Sequence, residues 1–478
     1  MIDGCDRPIE DMTMSSVTSH RVLAASLLAI AAFAFGAATA LAAEPTVIVS
    51  LPDRQSGSGN GGQALPTATL SHDGRHVAFT SRASGLSDPE PNPNDQDADV
   101  YLRDVALGTT IRISNPADGG DYANAGSGSP RISANGRVIA FLSSANDLVA
   151  GDEVDSQPSI FLHDLDTHRT VRIDITNGGP TAHLGSTGPA LSADGGHVAF
   201  HSKLANLVDG DVVDDLDDIF VHDVAAGLTT KITAGANGFS NSSSIAGDGR
   251  RIAFTSRASN LSPLDTDGSD DVYVYDRDAD TMILASVGLG DAEPDSYSRS
   301  PAISADGRFV AFTSHATNLV AGDANGFVDV FVRDLELGVT ELISRGHDGA
   351  GANEASYAPC ISADGRIIAF HSDASNLVPG DIVTIDPDED RDVFIYDRDT
   401  GSLRIASIAF DGGPGDDYAE NCGVSGDGRY VAYESEATNL VEDDPNGDLN
   451  DIFRVATGGD TIFTEGFEHP SPPADGTP

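Results

Sequence analysis

Residues 301–314 read PAISADGRFVAFTS: an apolar run, the turn Ala-Asp-Gly-Arg, and a second apolar run that ends in Thr-Ser. Asp-Gly between two apolar runs is the strongest short hairpin signal, because both residues tolerate the positive φ that a tight turn demands. The same turn recurs with its acidic or amide position at Asp73, Asn135, Asp194, Asp248, Asp306, Asp364 and Asp427, at intervals of 62, 59, 54, 58, 58 and 63 residues. A self-similar period of this length marks an array of one supersecondary unit.

The fifth copy shows the internal grammar most clearly: PAIS (301–304), the turn, FVAFTS (309–314), a long acidic loop, DVFVRD (329–334), a short turn and TELIS (340–344). Each copy is therefore four short strands with two apolar faces. One such unit cannot bury itself, whereas seven stacked radially can. The expected fold is all-β, a seven-bladed β-propeller of four-stranded antiparallel blades spanning residues 43–460. TVIVS (46–50) matches the fourth strand of the other copies and is expected to complete the last blade, whose third strand is DIFRV (451–455). TIFTEGF (461–467) competes for that edge.

The repeated Ser-Ala-Asp-Gly-Arg turn with its following Val-Ala-Phe strand resembles the WD40-like PD40 repeat of TolB-type propellers. That resemblance covers the repeats and implies an exported propeller that binds a protein or envelope component. It does not extend to the N-terminal α/β domain that accompanies the propeller in TolB-type proteins.

Composition agrees with an exported β protein. Trp is absent, Lys is nearly absent, and no run of helical period follows the N-terminus. The formal net charge of −48 sets the chain against nucleic acid and anionic membrane as partners. Val22 to Ala42 is uncharged, follows His20 and Arg21 and ends in Ala-Leu-Ala, so residues 1–42 read as a signal peptide. An uncleaved membrane anchor is the competing reading of that stretch, and Met12 or Met14 is the expected true start. Cleavage would leave 71 acids against 25 bases, and a periplasmic or secreted monomer is expected. Residues 461–478 read as a tail. Cys5 leaves with the leader, so Cys360 and Cys422 either form one disulfide or are two separate buried thiols.

The acidic loops between second and third strands carry an Asp, an Asp or Asn two residues on, a Gly, and an Asp at the strand entrance. Oxygen ligands spaced around a Gly turn suit Ca²⁺. The candidate ligands are Asp265, Asp267, Asp270 and Asp271 in the fourth copy, Asp323, Asn325 and Asp329 in the fifth, and Asp444, Asn446, Asp448 and Asp451 in the seventh. In the second copy Ser159 replaces the entrance Asp. The competing reading is that these aspartates shape turns and solvate a rim.

No nucleophile elbow, H-E-x-x-H helix, C-x-x-C pair or phosphate-binding Gly loop is present in the sequence. A non-catalytic scaffold is therefore the leading expectation, and a propeller hydrolase or lyase acting on an extracellular polysaccharide is the alternative. Tyr122, Tyr297, Tyr357 and Tyr418 lie in long polar segments between successive copies. They are expected either to form a partner-binding face or to plug the gaps between blades.

Overall fold

The computed structural model describes residues 46–50, 64–83, 86–87, 97–120, 122–151, 157–175, 185–204, 207–209, 211, 215–379, 391–445 and 449–458. The expected signal peptide, the expected tail with the competing TIFTEGF segment, Asn446 and Asp448 lie outside the described residues. Within them the strands form seven separate four-stranded sheets, as the repeats require.

Blade 5 illustrates why. Its strands β18 (Ser298–Ile303), β19 (Phe309–Ser314), β20 (Asp329–Asp334) and β21 (Val339–Leu342) pair antiparallel in sequence order. Gly307 turns the first hairpin at a φ of 72°, and Asp306 accepts the Ser304 hydroxyl and the Arg308 amide. Arg308 then forks onto Asp334 at the far end of β20, with its closest contact at 2.7 Å. Asp334 in turn accepts the amides of Glu336 and Leu337, which shapes the turn into β21.

Apolar packing joins the blades. Phe312 and Phe331 stack within blade 5 at 5.9 Å and pack with Ala253, Val272 and Val274 of blade 4. Seven such clusters exist, one at each seam, and the cluster holding Val49, Ala432 and Ile452 against Val77 and Phe79 closes the ring.

The last blade is completed from the N-terminal side. Strand β1 (Val47–Ile48) pairs antiparallel with β28 (Asp451–Ala456), and the Val49 amide adds a bond of 2.6 Å to the Ile452 carbonyl. Ser50 then repeats a clasp seen elsewhere. In blade 5 the Ser344 hydroxyl donates to Asp329 at 2.7 Å and accepts the Val330 amide at 2.9 Å. Ser50 likewise donates to Asp451 and accepts the Ile452 amide at 3.0 Å.

The first strands of blades 2 to 7 are bulged near the central channel, with left-handed φ at Ser129, Gly188, Ser242, Ser300, Ala358 and Asn421. The antiparallel register brings the inter-blade loops and the acidic loops to the same end of the channel.

Because Ser50 meets two buried groups, the Asp451 carboxylate and the Ile452 amide, Ser50→Ala is expected to cost about 1–3 kcal/mol in urea unfolding. An unchanged midpoint would show that the clasp does not hold the last blade.

Candidate metal centre and channel mouth

The fourth blade's acidic loop connects β15 (Arg251–Ser256) to β16 (Asp271–Asp276). Gly268 at a φ of 74° turns it sharply, and Asp267 accepts the Ser269 amide at 2.7 Å. One oxygen each from Asp265, Asp267 and Asp271 consequently falls within 4.8 Å of the others. Asp265 and Asp271 are 1% and 2% exposed, while Asp267 opens to solvent. Asp271 accepts the Ser286 hydroxyl at 2.8 Å, and the Tyr273 hydroxyl donates to Asp265 Oδ2. Asp265 Oδ1 is buried without a hydrogen-bond partner.

The electrostatics follow from this packing. Burial, reinforced by Asp265, Asp267 and Glu293, pushes Asp271 up to about 7. Burial also raises Asp265, against the opposing Tyr273 hydroxyl and the amides of Asp267 and Gly268. Carboxylates ~4 Å apart repel by ~4 kcal/mol at an effective dielectric of ~20, so three of them converge stably only with protons or a cation between them. The donor set is all oxygen, and the unpartnered Asp265 Oδ1 offers a ready ligand. These residues fit a hard divalent ion such as Ca²⁺.

The fourth sequence candidate in this loop faces elsewhere. Asp270 receives Arg257 Nε at 2.7 Å and Arg299 Nε at 2.6 Å, and despite burial these two cations hold its carboxyl below the usual range. Glu293, which the sequence reading did not single out, stands beside the cluster and accepts the Thr266 amide at 2.7 Å.

Blade 5 has the same spacing but an internal substitute for a cation. Asn325 Nδ2 donates to Asp329 at 2.8 Å and to the Ala352 carbonyl at 3.2 Å, while its Oδ1 accepts the Phe327 amide. Burial still raises Asp323 and lifts Asp329 to about 6. In blade 7, Asp444 is half-buried and Asp451 is clasped by Ser50.

The four tyrosines do not share one repeat position. Tyr297 and Tyr418 each precede a first strand, Tyr357 lies within β22 (Ser356–Ile361), and Tyr122 sits five residues before β6 (Ser127–Ile132). Tyr297 stacks on His315 at 5.6 Å beneath Arg299, Tyr357 tilts against His371, Tyr122 lies under Arg112, and Tyr418 donates to Glu436 at 2.7 Å.

The channel mouth adds groups that sequence reasoning missed. At the seam of blades 4 and 5, Asp270 bridges Arg257 and Arg299. At the seam of blades 6 and 7 the signs are reversed, and Arg391 bridges Asp373 at 2.8 Å and Glu420 at 2.6 Å. Glu420 is the cross-strand partner of Glu434 on β27 (Tyr430–Ser435), and Asn421 Nδ2 touches both. Glu434 is 2% exposed, its Oε2 has no partner, and burial together with Glu420 and Glu436 lifts it to about 7. The signal was visible in principle: YVAYES carries Glu where FVAFTS and RIAFTS carry Thr. Below this mouth, the first strands of all seven blades line a central cavity of about 580 Å³.

No family model matches the chain, and no curated protein matches it in sequence. Solved structures similar to it include TolB from Acinetobacter baumannii, at 16% identity over 83% of this chain and 79% of that one, with a TM-score of 0.37. Oligogalacturonate lyase from Vibrio parahaemolyticus is similar at 12% identity over 87% of this chain and 98% of that one, with a TM-score of 0.49. An oligogalacturonate lyase in complex with manganese shows 11% identity over 87% and 98%, again with a TM-score of 0.49. What they share with this chain is the propeller. Likeness at this level concerns fold alone, and the site rests on its own geometry.

Glu434 makes stability depend on pH in a defined direction. Its folded value lies above the ordinary 4.5, so the folded state holds the proton more tightly. That stabilisation is complete below pH ~4.5 and lost as pH rises through ~7, amounting to about 3 kcal/mol. Glu434→Gln is expected to flatten this segment of a urea-midpoint profile between pH 4.5 and 7.5; an unaltered profile would contradict the assignment.

Proposed function

We propose that this chain is an exported, non-catalytic propeller that binds a protein or cell-envelope component on the face carrying the inter-blade loops, with calcium holding the blade 4 loop in shape. The carrying observation is the convergence of the Asp265, Asp267 and Asp271 carboxylates, two of them buried, within 4.8 Å of one another. A bound cation satisfies their oxygens and removes the mutual repulsion, which fixes the loop beside the Tyr297 segment. Tyr297, with Tyr122, Tyr357 and Tyr418, then offers aromatic area among Gly, Asn and Ser, a surface chemistry suited to protein recognition. The strong negative charge argues for a partner other than nucleic acid, and the leader argues for a periplasmic or secreted location.

A second reading has one observation in its favour. Glu434, held protonated near neutrality, stands opposite Glu420, which Arg391 keeps paired; such a couple is the raw material of acid–base chemistry on an extracellular polysaccharide. Turnover of any glycan in a panel, lost in Glu420→Gln, would favour this enzyme over the scaffold.

The calcium reading is tested by thermal unfolding of the protein in 5 mM CaCl₂ and in chelator at pH 7.5, with ionic strength matched. For a weak extracellular-type site, with a Kd of ~10⁻⁴ to 10⁻³ M, about 1–2 kcal/mol of stabilisation is expected. Mg²⁺ should not reproduce it, and Asp267→Asn, at an exposed position, should abolish it without unfolding the chain. Equal midpoints in Ca²⁺ and chelator would remove calcium from the reading.

A further inference from the structure

The two cysteines of the repeats stand in adjacent blades at non-equivalent places, Cys360 in β22 and Cys422 in β26 (Ala419–Val424). Their side chains nevertheless converge. Cys360 Sγ contacts the Cys422 carbonyl oxygen, and Cys422 Sγ lies 3.4 Å from the Ala358 carbonyl and 3.2 Å from that of Ala369. Both thiols are free and line the central cavity. Arg131 lines the same cavity, and its guanidinium interacts electrostatically with the Cys360 thiol.

We propose that Cys360 and Cys422 are a covalent modification site at which a small soluble disulfide installs a cross-link between blades 6 and 7. The chemistry is thiol–disulfide exchange. Cys360 gives up its proton, and its thiolate attacks one sulfur of the oxidant and displaces the other as a thiolate, giving a mixed disulfide. Cys422 gives up its proton, attacks the Cys360 sulfur and expels the second oxidant thiolate. Two protein thiols are oxidised, one oxidant disulfide is reduced to two thiols, and the protons released by the protein are taken up by the leaving groups. Burial raises the Cys422 thiol above the ordinary range, so Cys422 suits the second, intramolecular step, in which proximity compensates for a weak tendency to ionise.

The location gives the bond a purpose. Blade 7 is the blade completed across the chain ends, and its closing strand β1 contributes two residues against the four of β21 in blade 5. A bridge between positions 62 residues apart restricts the unfolded chain and ties this blade to its neighbour on the channel side, opposite the closing strand. The cross-link depends on neither calcium nor a partner.

The test uses the full chain treated with glutathione disulfide at pH 8, alkylated and digested without reduction. A peptide joining Cys360 to Cys422, two hydrogens lighter than its parts, is expected. Oxidation should raise the unfolding midpoint by roughly 3–6 °C relative to reduced protein. Cys5→Ser should retain both effects, and Cys422→Ser should lose both. Quantitative alkylation of Cys360 and Cys422 after oxidation would overturn the proposal, as would cross-links confined to Cys5. Should Cys422→Ser fail to fold, the peptide masses from the unaltered chain decide the matter alone.

Discussion

The propeller depends on what happens where each third strand begins. There a carboxylate accepts a hydroxyl from the end of the fourth strand, and that hydroxyl accepts the next backbone amide of the third. The pairs are Asp99 with Ser114, Asp218 with Thr233, Asp271 with Ser286, Asp329 with Ser344, Asp392 with Ser407, and Asp451 with Ser50. Each clasp is buried or part-buried, and leaving one of its groups unmet costs ~1–3 kcal/mol. The short outer strand is thereby fixed to its neighbour by side chains as well as by its ladder. Blade 2 shows the constraint from the other side: Ser159 stands at the strand entrance, and the acid has moved to Asp174 at the hydroxyl position, where Arg172 meets it at 2.7 Å. Even so, burial leaves Asp174 raised above the usual carboxylate range.

This accounts for much of the acidity. Turn aspartates such as Asp306 accept a Ser hydroxyl and an amide, entrance aspartates form clasps, and third-strand aspartates such as Asp104 and Asp334 accept turn amides while receiving Arg75 and Arg308. These three positions supply six aspartates each, eighteen of the 75 acids, and each is tied to a local donor by design of the repeat. Blade 4's Asp265 stands apart because its carboxylate converges with those of Asp267 and Asp271, one oxygen from each lying within 4.8 Å of the others. Among the described residues such a convergence occurs in this one loop, and the blade 7 candidates Asn446 and Asp448 lie outside them.

The blade count, strand order and N-terminal closure were legible because they follow from a period, an Asp-Gly turn and a matching TVIVS segment. The site was legible only in part. Spacing identified Asp265, Asp267 and Asp271, but spacing also proposed Asp270, whose direction is set by Arg257 and by Arg299 from the next blade. It likewise treated Asn325 as a ligand equal to Asp267, although an amide can turn its nitrogen toward Asp329 and neutralise the need for a cation. Glu420, Glu434 and Arg391 were hidden because they act across a seam, in contacts between residues that sequence distance does not suggest. The tyrosines looked like a recurring set, yet their offsets from the first strand differ, and side-chain direction reverses with each such step.

The reversed triads show what the seam selects. Arg257, Asp270 and Arg299 occupy the same three repeat positions as Asp373, Arg391 and Glu420, with every sign exchanged. Attraction within a triad is indifferent to such an exchange, so stapling alone explains complementarity and leaves the choice of sign open. The choice matters at the mouth. Taken alone, the triad of blades 4 and 5 carries one cation more than it has anions, and the triad of blades 6 and 7 carries one anion more than it has cations. On a binding face, a local difference of sign of this kind would act on orientation and rate of encounter more than on affinity.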